Sequence, residues 1–356
     1  MKIAVILPRW VGDACMATPL LRGLRAHFGP AARITGVMRP VLSDLFVASG
    51  WLDDTIFYDR HKGKPRLSFR AATRALRLLA PDIALVLPGS LSAAALAFRG
   101  GARRRVGFTG NWRRFLLTDP LERASVDGRP QVLPPPLAYL EVGAAIGLPP
   151  QPAHLELATT PAADRLATDV VAAAFPGRDP GGSDPLVVLN DNSANGTARA
   201  WGSENHAALA RRLATGIPGA CVLVHCGPGD RAEARATVVK AGHPAVAGLG
   251  DVQQLPLGLS MAIIRRAALV ISSDSGPRHI AAGFGVPTVA LVGPTDPLGG
   301  RSDPERCFEV RKPLVCSPCH AADCPLGHHD CMRLITVDEV ARAARDALDR
   351  GRRMIA

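Results

Sequence analysis

The 356-residue chain is too long for one ordinary domain and suits two domains of roughly 150–200 residues each. Hydrophobic residues make up 47% and aromatic residues only 4%, as in helices packed on parallel sheets. No apolar run reaches the roughly 20 residues of a membrane span, and the short apolar start enters a Pro-Arg-Trp turn, so we expect a cytoplasmic protein without a signal peptide. The net charge of +11 indicates an anionic partner or merely solvated, Arg-rich helix faces.

The first part of the chain alternates short apolar runs with amphipathic stretches. The runs lie at 3–7, 34–38, 55–58 and 83–87. Between the first two, Leu20, Leu21 and Leu24 share one face of a predicted helix, and Leu76 and Leu79 share a face of another. This alternation predicts βα units around a parallel sheet that is buried on both faces.

A proline-rich stretch at 130–161, with one helical pattern at 137–147, separates two such halves. Apolar runs resume at 185–189, 220–224, 268–272 and 288–292. We therefore predict an α/β fold of two facing Rossmann-like domains with an inter-domain cleft, divided as 1–155, 156–335 and a closing helix at 336–356. Thr336 and Glu339 have the spacing of a capping box at the start of that helix.

Ligands of doubly wound folds bind beyond the carboxyl ends of the strands, so the loops after the apolar runs matter most. The first is "PRWVGDAC" (8–15), in which Gly12 permits a tight or left-handed turn. Asp13 at the mouth of the first helix is either a helix cap or a general base toward an attacking hydroxyl. Trp10 either lines a sugar pocket or packs against the linker.

A second loop, "SSDSGPRH" (272–279), joins a buried strand to a helix. Pro277 suits the first turn of that helix. The backbone N–H groups of Ser275 and Gly276, with the Ser275 hydroxyl, predict an anion site that suits a diphosphate. His279 alone would be a core histidine, but within this motif we expect it to face the same ligand.

Three segments together resemble one family: "RWVGDACMATPLLRGLRAHF" (9–28), "SDSGPRHIAAGFGVPTVALVGPTDP" (273–297) and "CPLGHHDCM" (324–332). They are similar to glycosyltransferase family 9, which contains the ADP-heptose:lipopolysaccharide heptosyltransferases. The resemblance implies the B-type glycosyltransferase fold. It also implies transfer of heptose from ADP-heptose to the inner core of lipopolysaccharide, with inversion at the anomeric carbon and without a cofactor or a metal in the chemistry.

The same resemblance implies site residues. Asp13 matches the catalytic base, and the C-terminal domain would hold the donor. The donor residues are Asn192, Ser193, Arg199, Asp230, Asp274, Ser275, Gly276 and His279. Arg199 stands where the family has Lys, in a segment that keeps Trp201. Asn192 and Ser193 replace a Pro-Gly-Ala turn and either contact the donor or form an Asx-type turn, while Asp230 either accepts from a ribose hydroxyl or caps a helix.

The N-terminal domain would hold the acceptor, a phosphorylated glycolipid at the cytoplasmic membrane surface. Its candidate contacts are Trp10, Arg60, His61, Lys62 and Lys64, of which the basic residues otherwise form a solvated charge run. We expect a monomer that lies in the cytoplasm or peripherally on the inner face of the membrane. Nucleic acid is not expected, because the chain lacks the aromatic–basic interleaving of single-strand binders.

The cysteines leave two interpretations open. Four of the eight, Cys316, Cys319, Cys324 and Cys331, are bunched and have histidines among them. They form either a structural zinc site or a loop of reduced thiols, since a cytoplasmic location argues against disulfides.

Other functions remain as alternatives. A dinucleotide-dependent oxidoreductase is disfavoured because no G-x-G-x-x-G follows the first apolar run. A non-catalytic nucleotide-sugar-binding module fits the altered segment at 190–196. A relative that uses another nucleotide sugar or acceptor is a further alternative.

Overall fold

The structure is a computed structural model that describes residues 1–59, 64–126, 129–130, 133–190, 196–300 and 303–355. The chain forms two compact units, Met1–Ala158 (unit 1) and Thr159–Ala356 (unit 2). Five predicted contact residues lie outside the described residues: Arg60, His61, Lys62, Asn192 and Ser193. Each unit is an α/β unit around its own parallel sheet, so the predicted Rossmann-like α/β fold is confirmed.

Unit 1 contains a six-stranded parallel sheet in the order β3-β2-β1-β4-β5-β6. The strands are β1 (Lys2–Ile6), β2 (Arg33–Met38), β3 (Asp54–Phe57), β4 (Ile83–Val86), β5 (Arg104–Phe108) and β6 (Asp119–Leu121). A short antiparallel pair follows, made of β7 (Ser125–Val126) and β8 (Arg129–Pro130).

Unit 2 repeats this strand order as β11-β10-β9-β12-β13-β14, again with parallel pairing. Its strands are β9 (Leu186–Asn190), β10 (Cys221–His225), β11 (Val246–Gly248), β12 (Leu269–Ser273), β13 (Thr288–Val292) and β14 (Cys307–Arg311). In both units the first strand is central, and the order reverses on its two sides. This arrangement brings strand-end loops together at the carboxyl edge of each sheet.

The helices cover the sheets and often begin at hydroxyl caps. The Oγ of Ser68 accepts from Ala71 N at 3.2 Å, and the Oγ of Ser90 accepts from Ala93 N at 3.3 Å. The predicted capping box is present, because Thr336 N donates to Glu339 Oε2 at 2.9 Å and Glu339 N donates to Thr336 Oγ1 at 3.3 Å. The helices are α1 (Val11–Cys15), α2 (Thr18–Phe28), α3 (Phe69–Leu79), α4 (Leu91–Arg99), α5 (Pro135–Ala144), α6 (Pro161–Ala174), α7 (Ser203–Gly216), α8 (Arg231–Ala241), α9 (Leu257–Arg265), α10 (Gly276–Gly283), α11 (Asp330–Arg333) and α12 (Val337–Ile355).

The central strands form the cores of the units. In β1 and β9 the side chains of Ile3, Ala4, Val5, Val187 and Val188 are fully buried, as continuous apolar strands between two helical layers should be. Within the described ranges, none of the helices combines the length and the apolar character needed to cross a membrane.

Candidate active site

The loop after β1 leads into α1 and positions Asp13. Trp10 occupies the N-cap position with an extended backbone (φ −90°, ψ 147°), and its side chain makes no capping hydrogen bond. Asp13 therefore lies in the first helical turn, half-buried, and is not the N-cap. Gly12 is buried inside α1, so the predicted tight turn at Gly12 is wrong and the turn lies earlier, at residues 8–10.

A cavity of about 510 Å³ lies in unit 1 beyond the carboxyl ends of β1, β2, β4 and β5, and Asp13 and Trp10 are part of its wall. Tyr139 lines the same cavity, and its burial, together with the Asp13 carboxylate, raises the pKa of Tyr139. The phenol therefore stays protonated at neutral pH and can donate a hydrogen bond. The cavity combines a carboxylate, an aromatic ring and hydroxyl donors, which suits a sugar.

Four arginines also line this cavity: Arg9, Arg39, Arg113 and Arg123. The Arg113 side chain is only 2% exposed, and one Nη donates to the carbonyl of Pro88. Its Nε is buried and has no hydrogen-bond partner within the described ranges. Burial and the nearby Arg123 charge lower the pKa of Arg113, although guanidinium stays protonated in proteins. A buried cation with an unsatisfied donor in a cavity wall is suited to an anionic ligand.

The loop after β5 holds Arg113 in place. Gly110, Asn111 and Trp112 all have positive φ angles (109°, 47° and 57°), and Asn111 Nδ2 donates to Gly89 O at 2.8 Å. This turn ties the loop after β5 to the loop after β4, so the guanidinium is directed inward while neighbouring side chains remain exposed.

The remaining three arginines of the cavity each have a partner, and that of Arg123 is Phe108, whose ring centroid lies 5.6 Å from Arg123 Cζ. Arg39 Nε donates to Asp59 Oδ2 at 3.2 Å, and Arg9 Cζ lies 5.3 Å from the ring centroid of Trp10. Lys64, a predicted acceptor contact, is exposed and is not part of the described wall of this cavity. The sequence analysis did not include Arg39 among the candidate contacts. Arg39 directly follows β2, so its position at the carboxyl end of a strand would have identified it.

In unit 2 the turn between β12 and α10 has the predicted form. Ser275 is the N-cap residue of α10 and Pro277 lies in the first turn. The Ser275 side chain makes no capping hydrogen bond and instead lies 3.1 Å from Ser272 Oγ. Because the first N–H groups of a helix lack intrahelical acceptors, the mouth of α10 presents donors and the positive end of the helix dipole.

Buried charged side chains stabilise the turn between β12 and α10. Arg278 is 2% exposed and donates from Nη1 to Asp274 Oδ1 at 2.8 Å. Burial alone would raise the pKa of Asp274, but Arg278, His279, Thr295 and Arg199 together outweigh burial, and the pKa lies below its ordinary value. Burial, then the Arg278 charge, lower the pKa of His279 despite Asp274. His279 is therefore neutral at pH 7 and offers a hydrogen bond rather than a positive charge.

Arg199 is brought to the same turn from a different part of the chain. Its Nη1 donates to Asp274 O at 3.0 Å, and its buried Nε has no hydrogen-bond partner in the part of the chain that the structure describes. Trp201, two residues on, is 3% exposed and donates from Nε1 to Ile335 O at 2.8 Å. Trp201 therefore anchors the segment in the core, while Arg199 presents its guanidinium beside Asp274.

A chain of hydrogen bonds beneath the turn was not predicted. His225 Nε2 lies 2.8 Å from Ser260 Oγ and Nδ1 lies 3.0 Å from Asn190 Oδ1. Asn190 Nδ2 in turn donates to Ser275 Oγ at 3.2 Å. Burial lowers the pKa of His225 to about 4, so its neutral ring both donates and accepts. Asn190 and His225 are the last residues of β9 and β10. Their positions at the carboxyl ends of strands would have indicated a role near the ligand site.

Asp230 follows β10 and occupies the N-cap position of α8, where its side chain makes no capping hydrogen bond. The capping alternative is therefore not the role of its carboxylate. The residue is half-buried near the carboxyl end of the strand beside β9.

The cysteine-rich loop packs against the Arg199 segment. Ala198 N donates to Ala322 O at 2.9 Å, and Thr197 Oγ1 donates to Asp323 Oδ1 at 2.7 Å. Cys331 is buried and Cys319 is exposed, and all eight cysteines are free thiols. In the part of the chain that the structure describes, no three His, Cys, Asp or Glu side chains are arranged to hold a metal ion.

Comparison with known proteins agrees with this architecture. The sequence model of glycosyltransferase family 9 (heptosyltransferase) matches residues 69–329. Lipopolysaccharide heptosyltransferase 2 of Escherichia coli K12 is 27% identical over 326 residues, which cover 83% of this chain and 84% of that protein. Lipooligosaccharide heptosyltransferase 2 of Campylobacter jejuni is 39% identical over 83 residues, only 22% of this chain and 25% of that protein.

Among solved structures, E. coli ADP-heptose LPS heptosyltransferase II superimposes with a TM-score of 0.77 at 22% sequence identity, covering 99% of this chain and 100% of that chain. This similarity establishes the fold, and the match of the family model over most of the chain establishes the family. The chain is an enzyme of glycosyltransferase family 9, the heptosyltransferase family.

Proposed function

We propose that this protein transfers heptose from ADP-heptose to the inner core of lipopolysaccharide, with inversion at the anomeric carbon and Asp13 as the general base. The observation that carries the proposal is the half-buried carboxylate of Asp13 in the wall of a cavity lined by four arginines. A base in a cavity built for an anionic sugar is what activation of an acceptor hydroxyl requires.

Unit 2 would bind the donor. The diphosphate would lie at the mouth of α10, against the N–H groups after Asp274 and the hydroxyl of Ser275. Arg199, whose buried Nε has no hydrogen-bond partner among the described residues, would meet a phosphate oxygen, and neutral His279 would supply one hydrogen bond. Asp230 would accept from a ribose hydroxyl. As the bond to the diphosphate breaks, the helix dipole and Arg199 stabilise the charge on departing ADP.

Unit 1 would bind the acceptor. The guanidinium of Arg113 fits a phosphate or a carboxylate, and the ring of Trp10 offers a face for a sugar. Asp13 would take the proton of the acceptor hydroxyl while that oxygen attacks the anomeric carbon opposite the departing diphosphate. The proton ends on Asp13, the new glycosidic bond replaces the sugar–phosphate bond, and ADP leaves. We place this reaction in the cytoplasm, at the membrane that holds the glycolipid.

The experiment measures ADP release with ADP-heptose and a lipid-free, truncated inner-core oligosaccharide. In Asp13→Asn, kcat should fall by about 10²–10⁴-fold because a general base is lost. ADP affinity, measured by calorimetry, should stay within about twofold because unit 2 is unchanged. Asp54→Asn is the matched control, since Asp54 pairs with Arg33 on the surface of the same unit.

Full turnover by Asp13→Asn would contradict the assignment of the base. Turnover by the wild type with a different nucleotide sugar, and none with ADP-heptose, would contradict the assignment of the donor. Donor binding without any turnover would identify a binding module instead of a transferase.

A further inference from the structure

Unit 1 carries a cluster of large apolar side chains on its surface. It consists of Leu91 and Phe98 of α4 with Trp112 and Phe115 of the loop after β5, and we call it the aromatic surface. Trp112 is 90% exposed and Phe115 75%, while Phe98 is 50% and Leu91 44% exposed. Single exposed apolar residues are ordinary, but a contiguous group of this size marks an interaction site.

Three members of the cluster are contiguous because α4 packs against residues 114–116, and Leu91, Phe98 and Phe115 line the same groove, while Trp112 is three residues from Phe115. Leu91 and Phe98 are seven residues apart and therefore share one face of α4. With Phe115 and Phe69 they line an open groove of about 660 Å³. Trp112 precedes Phe115 by three residues in a turn with positive φ, which holds its indole outward.

The chain around this surface is strongly basic. Residues 64–118 contain eleven Lys and Arg residues and a single acid, Asp82, so this stretch carries most of the net charge of +11. The cations lie among the aromatic rings, since Arg99 Cζ is 5.9 Å from the ring centroid of Phe69 and Arg105 Cζ is 5.3 Å from that of Phe98. Arg66, Arg70 and Arg74 are exposed and lie within five residues of Phe69 in the sequence, a residue that lines the groove together with Arg99.

Among the described residues, acidic side chains pair with three of these eleven cations. Asp82 lies 3.7 Å from Arg103, Asp119 lies 2.7 Å from Arg104, and Glu122 pairs with Arg114. The aromatic surface therefore combines exposed rings with an excess of cations. Rings of this kind prefer the boundary between headgroups and acyl chains, and the cations are attracted to anionic headgroups.

The aromatic surface also adjoins the cavity that contains Asp13. Ser90 and Ser92 line both the groove and the cavity. A bilayer in contact with the surface would therefore lie beside the cavity, where a lipid-linked substrate would present its polar end.

We infer that the aromatic surface docks this protein onto a bilayer containing anionic phospholipids. Trp112 and Phe115 insert at the headgroup boundary, and the arginines around the groove bind the anionic headgroups. The role of this docking in presenting a glycolipid rests on the proposed function, but the docking itself follows from the exposed rings and the charge of unit 1.

The test is flotation of the purified full chain with vesicles of phosphatidylglycerol and phosphatidylethanolamine, with phosphatidylcholine vesicles as the neutral comparison. The wild type should float with the anionic vesicles and not with the neutral ones. The double variant Trp112→Ser/Phe115→Ser should lose about tenfold or more of its vesicle affinity, because both apolar anchors are removed. Higher salt should weaken wild-type binding without abolishing it.

The matched control is Leu78→Ser/Val239→Ser, which removes two side chains that are each 79% exposed but lie outside the aromatic surface. This control should float like the wild type. Circular dichroism and thermal unfolding verify that each variant is folded. A wild type that does not float, or a double variant that floats like the wild type, would overturn the proposal. So would a wild-type dimer in light scattering that the double variant abolishes.

Activity with the lipid-free oligosaccharide separates this inference from the proposed function. The double variant should retain wild-type turnover of that acceptor, because neither side chain lines the cavity, and the turn that positions Arg113 is held by the backbone and by Asn111 rather than by the exposed indole of Trp112. Flotation without turnover would refute the transferase and leave the docking surface intact. Turnover without flotation would refute only the docking surface.

Discussion

The two units share one strand order but carry different chemistry at the same edge of their sheets. In unit 1 the carboxyl ends of the strands surround an open cavity whose wall holds four arginines and Asp13. In unit 2 the corresponding edge holds a serine turn, supported by Asn190, His225 and Ser272 through hydrogen bonds of 2.8–3.3 Å.

The shared topology therefore gives each unit the same edge for a ligand, and the side chains at that edge differ between the units. Charged groups in unit 1 suit an acceptor whose negative charges are spread over a large glycolipid. Backbone N–H groups and hydroxyls in unit 2, together with the guanidinium of Arg199, suit a compact diphosphate, which needs close and well-oriented donors. The following variants test whether the two edges act separately.

The largest effect is expected from Arg113→Met. The KM for the oligosaccharide acceptor should rise about 10- to 100-fold, because a buried, charge-assisted hydrogen bond is lost. The affinity for ADP should not change. Steady-state kinetics and calorimetry measure the two, with Arg33→Met as the control because Arg33 is on the surface. A matching loss of ADP affinity would show that the two edges are not separate.

An intermediate effect is expected for stability against acid. The pKa of His225 is about 4 in the folded protein and near 6.5 when unfolded, so the unfolded chain binds the extra proton between these values. Its contribution to stability is present above pH 6.5 and is lost as the pH falls toward 4. Between pH 7 and pH 5 the wild type should lose about 2 kcal/mol more than His225→Gln in the free energy of unfolding.

Urea denaturation at the two pH values measures this difference. Ser272 and Asn190 are unchanged in the variant, so the comparison isolates the imidazole. Equal pH dependence of both proteins would mean that His225 already binds a proton in the folded state, and the neutral network of unit 2 would be wrong.

The smallest effect is expected from Arg199→Met. ADP affinity should fall about tenfold, because one charged donor to phosphate is lost while the N–H groups of α10 remain. Arg199→Lys should restore part of it. Arg235→Met, which removes an exposed guanidinium paired with Asp251, is the control. A rise in acceptor KM with unchanged ADP affinity would assign Arg199 to the other substrate.

The sequence predicted the fold well where strands are wholly apolar. The runs at 3–7, 185–189 and 268–272 coincide with β1, β9 and β12. It missed β5, which begins with Arg104 and Arg105. Their guanidinium groups reach Asp119 at 2.7 Å and Leu116 O at 2.7 Å, so the strand is satisfied by ion pairing and hydrogen bonds that no apolar pattern reveals.

The site was predicted where a motif is local and missed where it is assembled from distant residues. Ser275, Gly276 and Pro277 lie in one turn, so the sequence was sufficient to place them. Arg113 is buried because the three preceding residues form a turn with positive φ angles. The sequence alone does not distinguish it from neighbouring arginines that are exposed. The contact between Arg199 and Asp274 joins residues 75 positions apart and depends on tertiary structure alone.

The backbone of Gly196 has a consequence for engineering. Its φ of 87° is left-handed, and a Cβ there would lie 2.2 Å from the carbonyl oxygen of Ala322. Residues 196–199 and the cysteine-rich loop at 316–331 therefore pack so closely that their backbones must be complementary in shape. A chimaera that takes 316–331 from a homologue must take 196–199 from it as well. Otherwise the guanidinium of Arg199 will be displaced from its position beside Asp274.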